Sequence, residues 1–163
     1  MSIPSRIISF WHDQATMPAQ LVEAQAESRD AAGVAEYLVA DDEYLRGELR
    51  ASYPPVIEKL YDCIQVPAAR ADLARMVLLH RLGGFYLDAS FVVRRPLADL
   101  VPEGIDHLFV QRDDTHAARR VPGRASLING FVGSVPDSPV MRTDALVGAQ
   151  REIAARRSSR AGD

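Results

Sequence analysis

The stretch Ala69–Phe91 reads ARADLARMVLLHRLGGFYLDASF and decides the fold. Its first part belongs to a long helix, which we predict over Ala68–Leu82. Gly83-Gly84 would end that helix as a left-handed C-cap. The aromatic and β-branched run Phe85–Val93 then predicts a strand. A long helix that leads directly into an apolar strand is typical of α/β domains.

Strands and helices also alternate along the rest of the chain. We predict further strands at Ile3–Trp11, Glu36–Val39, His107–Gln111 and Leu127–Ser134. We predict further helices at Met17–Ser28, Glu43–Ala51 (capped by Asp42), Val56–Cys63, and from Asp137 to about Ala155. This alternation predicts a Rossmann-type three-layer α/β/α domain with a mostly parallel sheet. We expect one domain over residues 1–155 and a frayed polar tail over residues 156–163.

Two charged residues of the long helix, Asp72 and Arg75, fall among its apolar side chains on a helical wheel. Arg70 and Arg81, with Ala74 between them, lie on the opposite side and predict the solvent face. An unpaired charge in apolar surroundings is costly, so Asp72 and Arg75 need partners. They either form an internal ion pair at i, i+3 or face a polar cleft and bind a ligand.

Asp88 is an aspartate within an otherwise apolar strand. A carboxylate near the C-terminal end of such a strand lies where ligand sites gather in open α/β sheets. The alternative is a turn aspartate at the end of the strand. The apolar run Phe91-Val92-Val93 continues beyond it and disfavours that alternative.

Together these residues resemble the signature of sugar transferases that bear the DXD motif, among them glycosyltransferase family 32 and the capsular polysaccharide synthesis proteins. The signature is an aspartate, an arginine three residues later, a double glycine, an aromatic residue and Asp-x-Asp. The matching residues are Asp72, Arg75, Gly83, Gly84, Tyr86 and Asp88. Two further stretches are similar to the family's first strand and to a later strand, namely Ile3–Trp11 and Asn129-Gly130-Phe131.

The resemblance implies a GT-A-like fold that binds a nucleotide sugar. It implies transfer of a hexose from a UDP- or GDP-linked donor to a glycan or polysaccharide acceptor, with retention of the anomeric configuration. Asp72, Arg75 and Asp88 would be the catalytic residues. Asp72 and Arg75 would bind donor-sugar hydroxyls and help to place the diphosphate.

The remaining roles also come from the resemblance. Trp11 would stack on the nucleotide base, and Tyr86 and Asn129 would complete the nucleotide-sugar site. Asp88 would contact the ribose or metal-bound water. A divalent cation, Mn²⁺ or Mg²⁺, would lie at Asp88 and Ser90 and stabilise the leaving diphosphate.

The chain departs from the family pattern at Ser90, where the second aspartate of the motif is expected. A hydroxyl is a poorer ligand for a hard dication than a carboxylate, although capsular-synthesis members often carry threonine here. We also expect a thin acceptor side, because the chain stops soon after the strand of Asn129. Two alternatives therefore stay open: a non-catalytic nucleotide-sugar-binding module, and a structural domain in which Asp72–Arg75 is only an internal salt bridge.

Composition narrows the function further. The net charge of -3 over 163 residues argues against a nucleic-acid partner. The single cysteine, Cys63, and the absence of a recognisable signal peptide or spanning helix predict a cytoplasmic protein, with peripheral membrane association left open. We assign no metal site to the histidines and only turn or cap roles to the paired aspartates; these residues are His12, His80, His107, His116, Asp41-Asp42 and Asp113-Asp114.

Overall fold

The computed structural model describes residues 2–111 and 127–142. Five strands within them form one sheet in the order β2-β1-β3-β5-β4. The strands are β1 (Arg6–Phe10), β2 (Glu36–Ala40), β3 (Gly84–Leu87), β4 (His107–Gln111) and β5 (Leu127–Ser134). Strands β2, β1 and β3 pair in parallel, whereas β5 is antiparallel to both β3 and β4. Four of the five strands therefore run in one direction, which confirms the predicted α/β class and mostly parallel sheet.

The four predicted helices that fall entirely within the described residues are all present. They are α1 (Ala19–Ala32), α2 (Asp42–Ser52), α3 (Pro55–Cys63) and α4 (Pro67–Leu82). Short 3₁₀ turns lie at Gln14–Thr16 and Leu97–Asp99. The predicted last helix begins at residues 139–142, and its continuation lies outside the described residues, as do the tail, His116 and Asp113-Asp114. No helix in the described part of the chain is long and apolar enough to cross a membrane.

Helices cover both faces of the sheet because successive strand residues point to opposite sides. On one face, Ile8 and Tyr86 pack against α2, α3 and α4 in the larger apolar core. On the other face, Ile7 and Phe85 pack against the end of α1 and the second 3₁₀ turn. The carboxyl ends of β1, β2 and β3 meet at one edge of the sheet, where the chain turns into the following loops.

The prediction that β3 runs on to Val93 was wrong. The strand ends at Leu87, and the chain turns at once, because the N–H of Phe91 donates to the carbonyl of Asp88 at 2.8 Å. Val93 is nevertheless buried, and its N–H donates to Ser28 Oγ at 3.0 Å. Burial against α1, and not pairing in the sheet, therefore explains the apolar Val93. Asp88 is a turn residue at the end of the strand.

The predicted solvent face of α4 was also wrong. Ala74 is fully buried, and the helix side that carries it packs against α2. Arg70 lies there because its guanidinium pairs with Asp42, while Arg81 pairs with Glu48 at 3.2 Å. The helical wheel placed Arg70 and Arg81 on the same side of α4. It could not show that the neighbouring helix α2 supplies a carboxylate partner to each of them.

Two details of the helix ends differ from the prediction. Asp41, not Asp42, caps α2 by accepting the N–H of Tyr44 at 2.9 Å. Gly83 does end α4 with a positive φ of 63°, but its ψ of -179° directs the chain into extended structure and not into a left-handed turn. A Cβ on Gly83 would lie 2.6 Å from Pro136 Cδ, so the close approach of that proline also requires glycine.

Candidate functional site

Arg75 on α4 is the centre of a charged cluster at the carboxyl end of β3. Its Nη1 lies 3.0 Å from Asp72 Oδ1, and its Nη2 lies 3.6 Å from Asp88 Oδ1. The guanidinium carbon also lies 4.8 Å from the centroid of the Tyr86 ring. A buried cation is therefore held by two carboxylates and one aromatic face.

Exposure separates the members of this cluster. The side chain of Arg75 is only 7% exposed, whereas those of Asp72 and Asp88 are 58% and 35% exposed. Asp72 and Arg75 therefore form the ion pair that was one of the two sequence-based interpretations, and its acidic member is exposed to solvent. The carboxylates can accept hydrogen bonds from a ligand while the arginine orients them from behind.

Tyr86 forms the buried floor beneath the guanidinium. Burial raises the pKa of its phenol above the usual range. The positive charge of Arg75 lowers that pKa in part, and the carboxylate of Asp88 raises it. The phenol therefore stays neutral throughout the physiological range, and its O–H remains a donor.

A cavity of about 330 Å³ opens beside this cluster at the carboxyl ends of β1 and β3. Its lining brings together four of the predicted site residues, and Asp72, Arg75 and Asn129 are not part of it. The lining residues are Phe10, Trp11, His12, Leu21, Pro67, Ala68, Ala71, Tyr86, Asp88, Ala89 and Ser90. A mostly apolar pocket of this size with a few polar groups is typical of small-ligand sites.

Trp11 follows β1 directly and forms one wall of the cavity. Its backbone N–H donates to the carbonyl of Ala40 at 3.0 Å, and its ring is tilted against His12 at a centroid distance of 5.4 Å. The indole Nε1 is buried and has no hydrogen-bond partner among the described residues. The Trp11 side of the cavity therefore offers an aromatic surface to a ligand.

Asn129 reaches the charged cluster because β5 is irregular at this point. Opposite the step from Phe109 to Val110 on β4, the paired residue on β5 changes from Val132 to Ile128. Such a bulge re-aims side chains, and bulges are common next to functional sites. Asn129 Nδ2 donates to Asp72 Oδ1 at 3.4 Å.

Gly130 and Phe91 also belong to the site, although the sequence analysis did not select them for it. Gly130 accepts the N–H of Asp88 at 2.9 Å. A Cβ on Gly130 would lie 2.6 Å from Asp88 Oδ2 and 2.8 Å from Phe91 Cζ. A glycine inside a predicted strand signals such a close approach and could have been used to find it.

The oxygen ligands in the cavity are compatible with a divalent cation that a ligand helps to hold. The Asp88 carboxylate and the Ser90 hydroxyl group line the same cavity, and hard dications prefer oxygen ligands. Among residues 2–111 and 127–142, no group of three acidic, histidine or cysteine side chains could hold a metal by itself. The remaining ligands would have to come from a bound diphosphate or from water.

Comparisons with known proteins show the family to which the chain belongs. Residues 5–107 match the family model described as a glycosyltransferase sugar-binding region containing the DXD motif. The chain is 32% identical over 100 residues to an uncharacterized glycosyltransferase, L373, of Acanthamoeba polyphaga mimivirus. It is 31% identical over 100 residues to inositol phosphoceramide mannosyltransferase 3 of Schizosaccharomyces pombe. Each match covers 61% of this chain, but only 37% and 28% of the respective relative.

A solved structure is also similar in fold. The PaToxG glycosyltransferase superimposes with a TM-score of 0.64 at 11% identity, over 94% of this chain and 63% of that chain. At this identity the similarity concerns the fold alone, and it agrees with the GT-A-like architecture expected from the sequence.

Proposed function

Because this chain belongs to the family of glycosyltransferase sugar-binding regions that contain the DXD motif, we propose that it transfers a hexose from a nucleotide sugar to a glycan or polysaccharide acceptor. The donor would be UDP- or GDP-linked, and the anomeric configuration would be retained. In that reaction the bond from the anomeric carbon to the diphosphate breaks while a bond to an acceptor oxygen forms. The finer assignments, to glycosyltransferase family 32 and to capsular polysaccharide synthesis, stay predictions.

One observation carries the proposal: a buried arginine holds two partly exposed carboxylates beside a cavity with an aromatic wall. Asp72 and Asp88 both contact Arg75, and Asp88 also lines the cavity with Trp11. A nucleotide sugar has the same two parts, an aromatic base and a sugar with many hydroxyl groups. The cavity suits the nucleoside, and the exposed carboxylates suit the hydroxyl groups of the hexose.

The proposed roles follow from these contacts. Trp11 stacks on the base, and Asp72 with Asn129 binds hydroxyl groups of the donor sugar. Asp88 belongs both to the cavity lining and to the charged cluster, and it contacts the ribose or the metal-bound water. Arg75 fixes the orientation of both carboxylates and contributes positive charge near the diphosphate.

A divalent cation fits the proposal. Asp88 and Ser90 would hold it together with oxygens of the diphosphate. When bound, it supplies positive charge that stabilises the leaving diphosphate. The cation would be Mn²⁺ or Mg²⁺, and the protein would act in the cytoplasm, with or without peripheral contact with a membrane.

The proposal is tested by incubating the protein with UDP- and GDP-sugars and Mn²⁺ and measuring release of the nucleoside diphosphate. We expect Asp72→Asn to lower the rate by at least about 100-fold, as is usual when a group that acts in the transition state is removed. Asp62→Asn is a matched control, because Asp62 is also exposed (51%) and also pairs with an arginine, Arg46, but lies outside the site. That control should keep the wild-type rate.

The outcomes separate the alternatives. No donor hydrolysis, together with no thermal shift by UDP or GDP, would contradict the proposal. A thermal shift without turnover would favour the alternative of a non-catalytic binding module. Loss of stability in Asp72→Asn, in a protein that binds no nucleotide, would favour a purely structural ion pair.

A further inference from the structure

Phe91 is a partly exposed aromatic residue next to the charged cluster. Its side chain belongs to a residue that is 36% exposed, although it follows a buried strand by only four positions. Single exposed apolar side chains are common on protein surfaces and need no explanation by themselves. Phe91 differs from the other exposed apolar side chains of the protein in that three separate features fix it beside Asp88.

The first feature is the turn, in which the N–H of Phe91 donates to the carbonyl of Asp88 at 2.8 Å. The second is the space above Gly130. Phe91 Cζ and Asp88 Oδ2 lie 2.8 Å and 2.6 Å from the point that a Cβ on Gly130 would occupy. The third is that Gly130 itself accepts the N–H of Asp88. The ring and the carboxylate therefore flank one spot, which only glycine leaves open.

The groups around this spot have the chemistry that recognises a pyranose ring. Such a ring has an apolar face of C–H bonds and a rim of hydroxyl groups. Phe91 offers an aromatic surface, while Asp72 and Asp88 offer exposed carboxylate oxygens. The Asn129 amide, which donates to Asp72, adds a further polar group.

We propose that Phe91 is a sugar-binding platform, on which the apolar face of a pyranose rests while its hydroxyl groups bind Asp72 and Asp88. This inference depends on the proposed function and deepens it, since none of the residues assigned from the family signature is Phe91. Asp88 lines the cavity that we assign to the nucleoside, whereas Phe91, Asp72 and Asn129 do not line it. Phe91 therefore lies outside the lining of that cavity but next to Asp88, which belongs to the lining.

Two sources could supply this pyranose: the hexosyl group of the donor and the terminal sugar of the acceptor. Calorimetry tests the first by comparing UDP with UDP-glucose and GDP with GDP-mannose. Saturation-transfer NMR tests the second with methyl α-glucopyranoside and methyl α-mannopyranoside in the presence of UDP or GDP. The variants are Phe91→Ala and Phe91→Tyr, and the control is Leu100→Ala, since Leu100 is 49% exposed and lies away from the site.

We expect Phe91→Ala to weaken the binding of a nucleotide sugar, or the NMR signal of a methyl glycoside, by about fivefold or more. Binding of the nucleoside diphosphate alone should not change, and Phe91→Tyr should restore the loss because it keeps the ring. A loss in the calorimetric arm assigns the donor hexosyl group to the platform, and a loss in the NMR arm assigns the acceptor sugar.

Two results would overturn the inference while leaving the proposed function intact. One is wild-type binding of every sugar by Phe91→Ala. The other is an equal loss for UDP and UDP-glucose, which would indicate a general disturbance of the site. If the wild-type protein binds no nucleotide at all, the proposed function fails, and this inference fails with it. Equal thermal midpoints for Phe91→Ala and Leu100→Ala exclude a folding defect.

Discussion

Asp88 and Gly130 are in contact through both backbone and side chain. The carbonyl of Gly130 accepts the Asp88 N–H at 2.9 Å, and the Asp88 carboxylate occupies the space where a Cβ of Gly130 would be. Residues 42 positions apart thereby fix the carboxylate that the cavity and the charged cluster share. The position of Asp88 therefore depends on the Gly130 carbonyl and on the absence of a side chain at Gly130.

Replacing Gly130 by alanine should therefore displace the Asp88 carboxylate. The new methyl group would lie 2.6 Å from Oδ2, which is closer than real Cβ contacts allow. We expect release of the nucleoside diphosphate to fall by about tenfold or more, since small misplacements at a reacting centre are costly. Gly47→Ala is the control, because nothing lies within 4 Å of its added Cβ. Wild-type rates in both variants would show that Asp88 tolerates the shift.

Arg75 should be irreplaceable by lysine. A lysine keeps the charge, but its single ammonium group cannot replace the planar guanidinium, which contacts Asp72 with one nitrogen and Asp88 with the other while it lies over Tyr86. We expect Arg75→Lys to lose most donor turnover. We expect Arg75→Ala to lower the free energy of unfolding by about 1–2 kcal/mol, because the buried guanidinium loses its packing on Tyr86 and its contacts with the partly exposed Asp72 and Asp88.

Arg46 provides a close match for this comparison. It also contacts two carboxylates, Asp42 and Asp62, and its guanidinium carbon lies 5.5 Å from the centroid of the Tyr61 ring. Arg46→Lys should change the stability of the protein, measured by urea unfolding, without changing donor turnover. Equal turnover in Arg75→Lys and Arg46→Lys would show that the reaction does not depend on the Arg75 guanidinium.

Ser90→Asp should tighten binding of the divalent cation. A carboxylate is a stronger ligand for a hard dication than a hydroxyl group, and residue 90 lines the same cavity as Asp88. We expect the Kd for Mn²⁺, measured by electron paramagnetic resonance in the presence of UDP or GDP, to fall by about tenfold. Ala89→Asp adds the same charge to the cavity lining one residue away. If both variants bind Mn²⁺ equally, the gain reflects net charge and not coordination.

Tyr53 should make the protein sensitive to alkali. Its side chain is buried, its O–H has no partner among the described residues, and burial raises its pKa to about 12. The positive charges of Arg142 and Arg81 lower that pKa only in part. In the unfolded chain the phenol loses its proton near pH 10, whereas in the folded chain it keeps the proton up to about pH 12. Its contribution to stability is therefore complete below pH 10 and is lost progressively between pH 10 and 12.

Tyr53→Phe removes this proton difference. The decline of the free energy of unfolding between pH 10 and 12 should become shallower by up to about 1.4 kcal/mol per pH unit. At pH 7 the variant should be as stable as the wild type or more stable, because it loses an unpaired buried hydroxyl group. Urea unfolding at several pH values measures both effects. An unchanged slope would show that Tyr53 ionises in the folded state.

Tyr61→Phe is the contrasting variant. Tyr61 is also buried in the core, but its O–H has a partner, unlike that of Tyr53. It donates to the Asp42 carboxylate, which also pairs with Arg70. We expect a loss of about 2 kcal/mol in the free energy of unfolding at pH 7, typical of a hydrogen bond to a charged group. Donor turnover should not change, since these residues lie outside the cavity lining. If Tyr61→Phe and Tyr53→Phe are equally stable, the hydrogen bond from Tyr61 to Asp42 does not stabilise the fold.

Local features of the chain were predictable from the sequence because they depend on neighbours in the chain. The start of α4, its glycine end and the i, i+3 spacing of Asp72 and Arg75 follow from propensity and helix geometry. The same holds for β1, β2, β4 and β5, whose apolar runs match their observed positions within a few residues. The role that the family signature implies for Asp88 stays a prediction, and the residue lies in a turn after β3 and not within a longer strand.

The sequence by itself therefore determined the order of helices and strands, the spacing that allows an ion pair within α4, and the choice of Asp72, Arg75 and Asp88 as candidate residues. Only the tertiary structure decided which side of α4 is buried, that Arg75 has a second carboxylate partner, and that Asn129 and Gly130 approach Asp72 and Asp88. Those contacts depend on β5 lying next to β3, which is more than 40 residues away in the sequence, and on the bulge in the pairing of β5 with β4. Propensity and periodicity describe single segments, and they hold no information about which segments become neighbours.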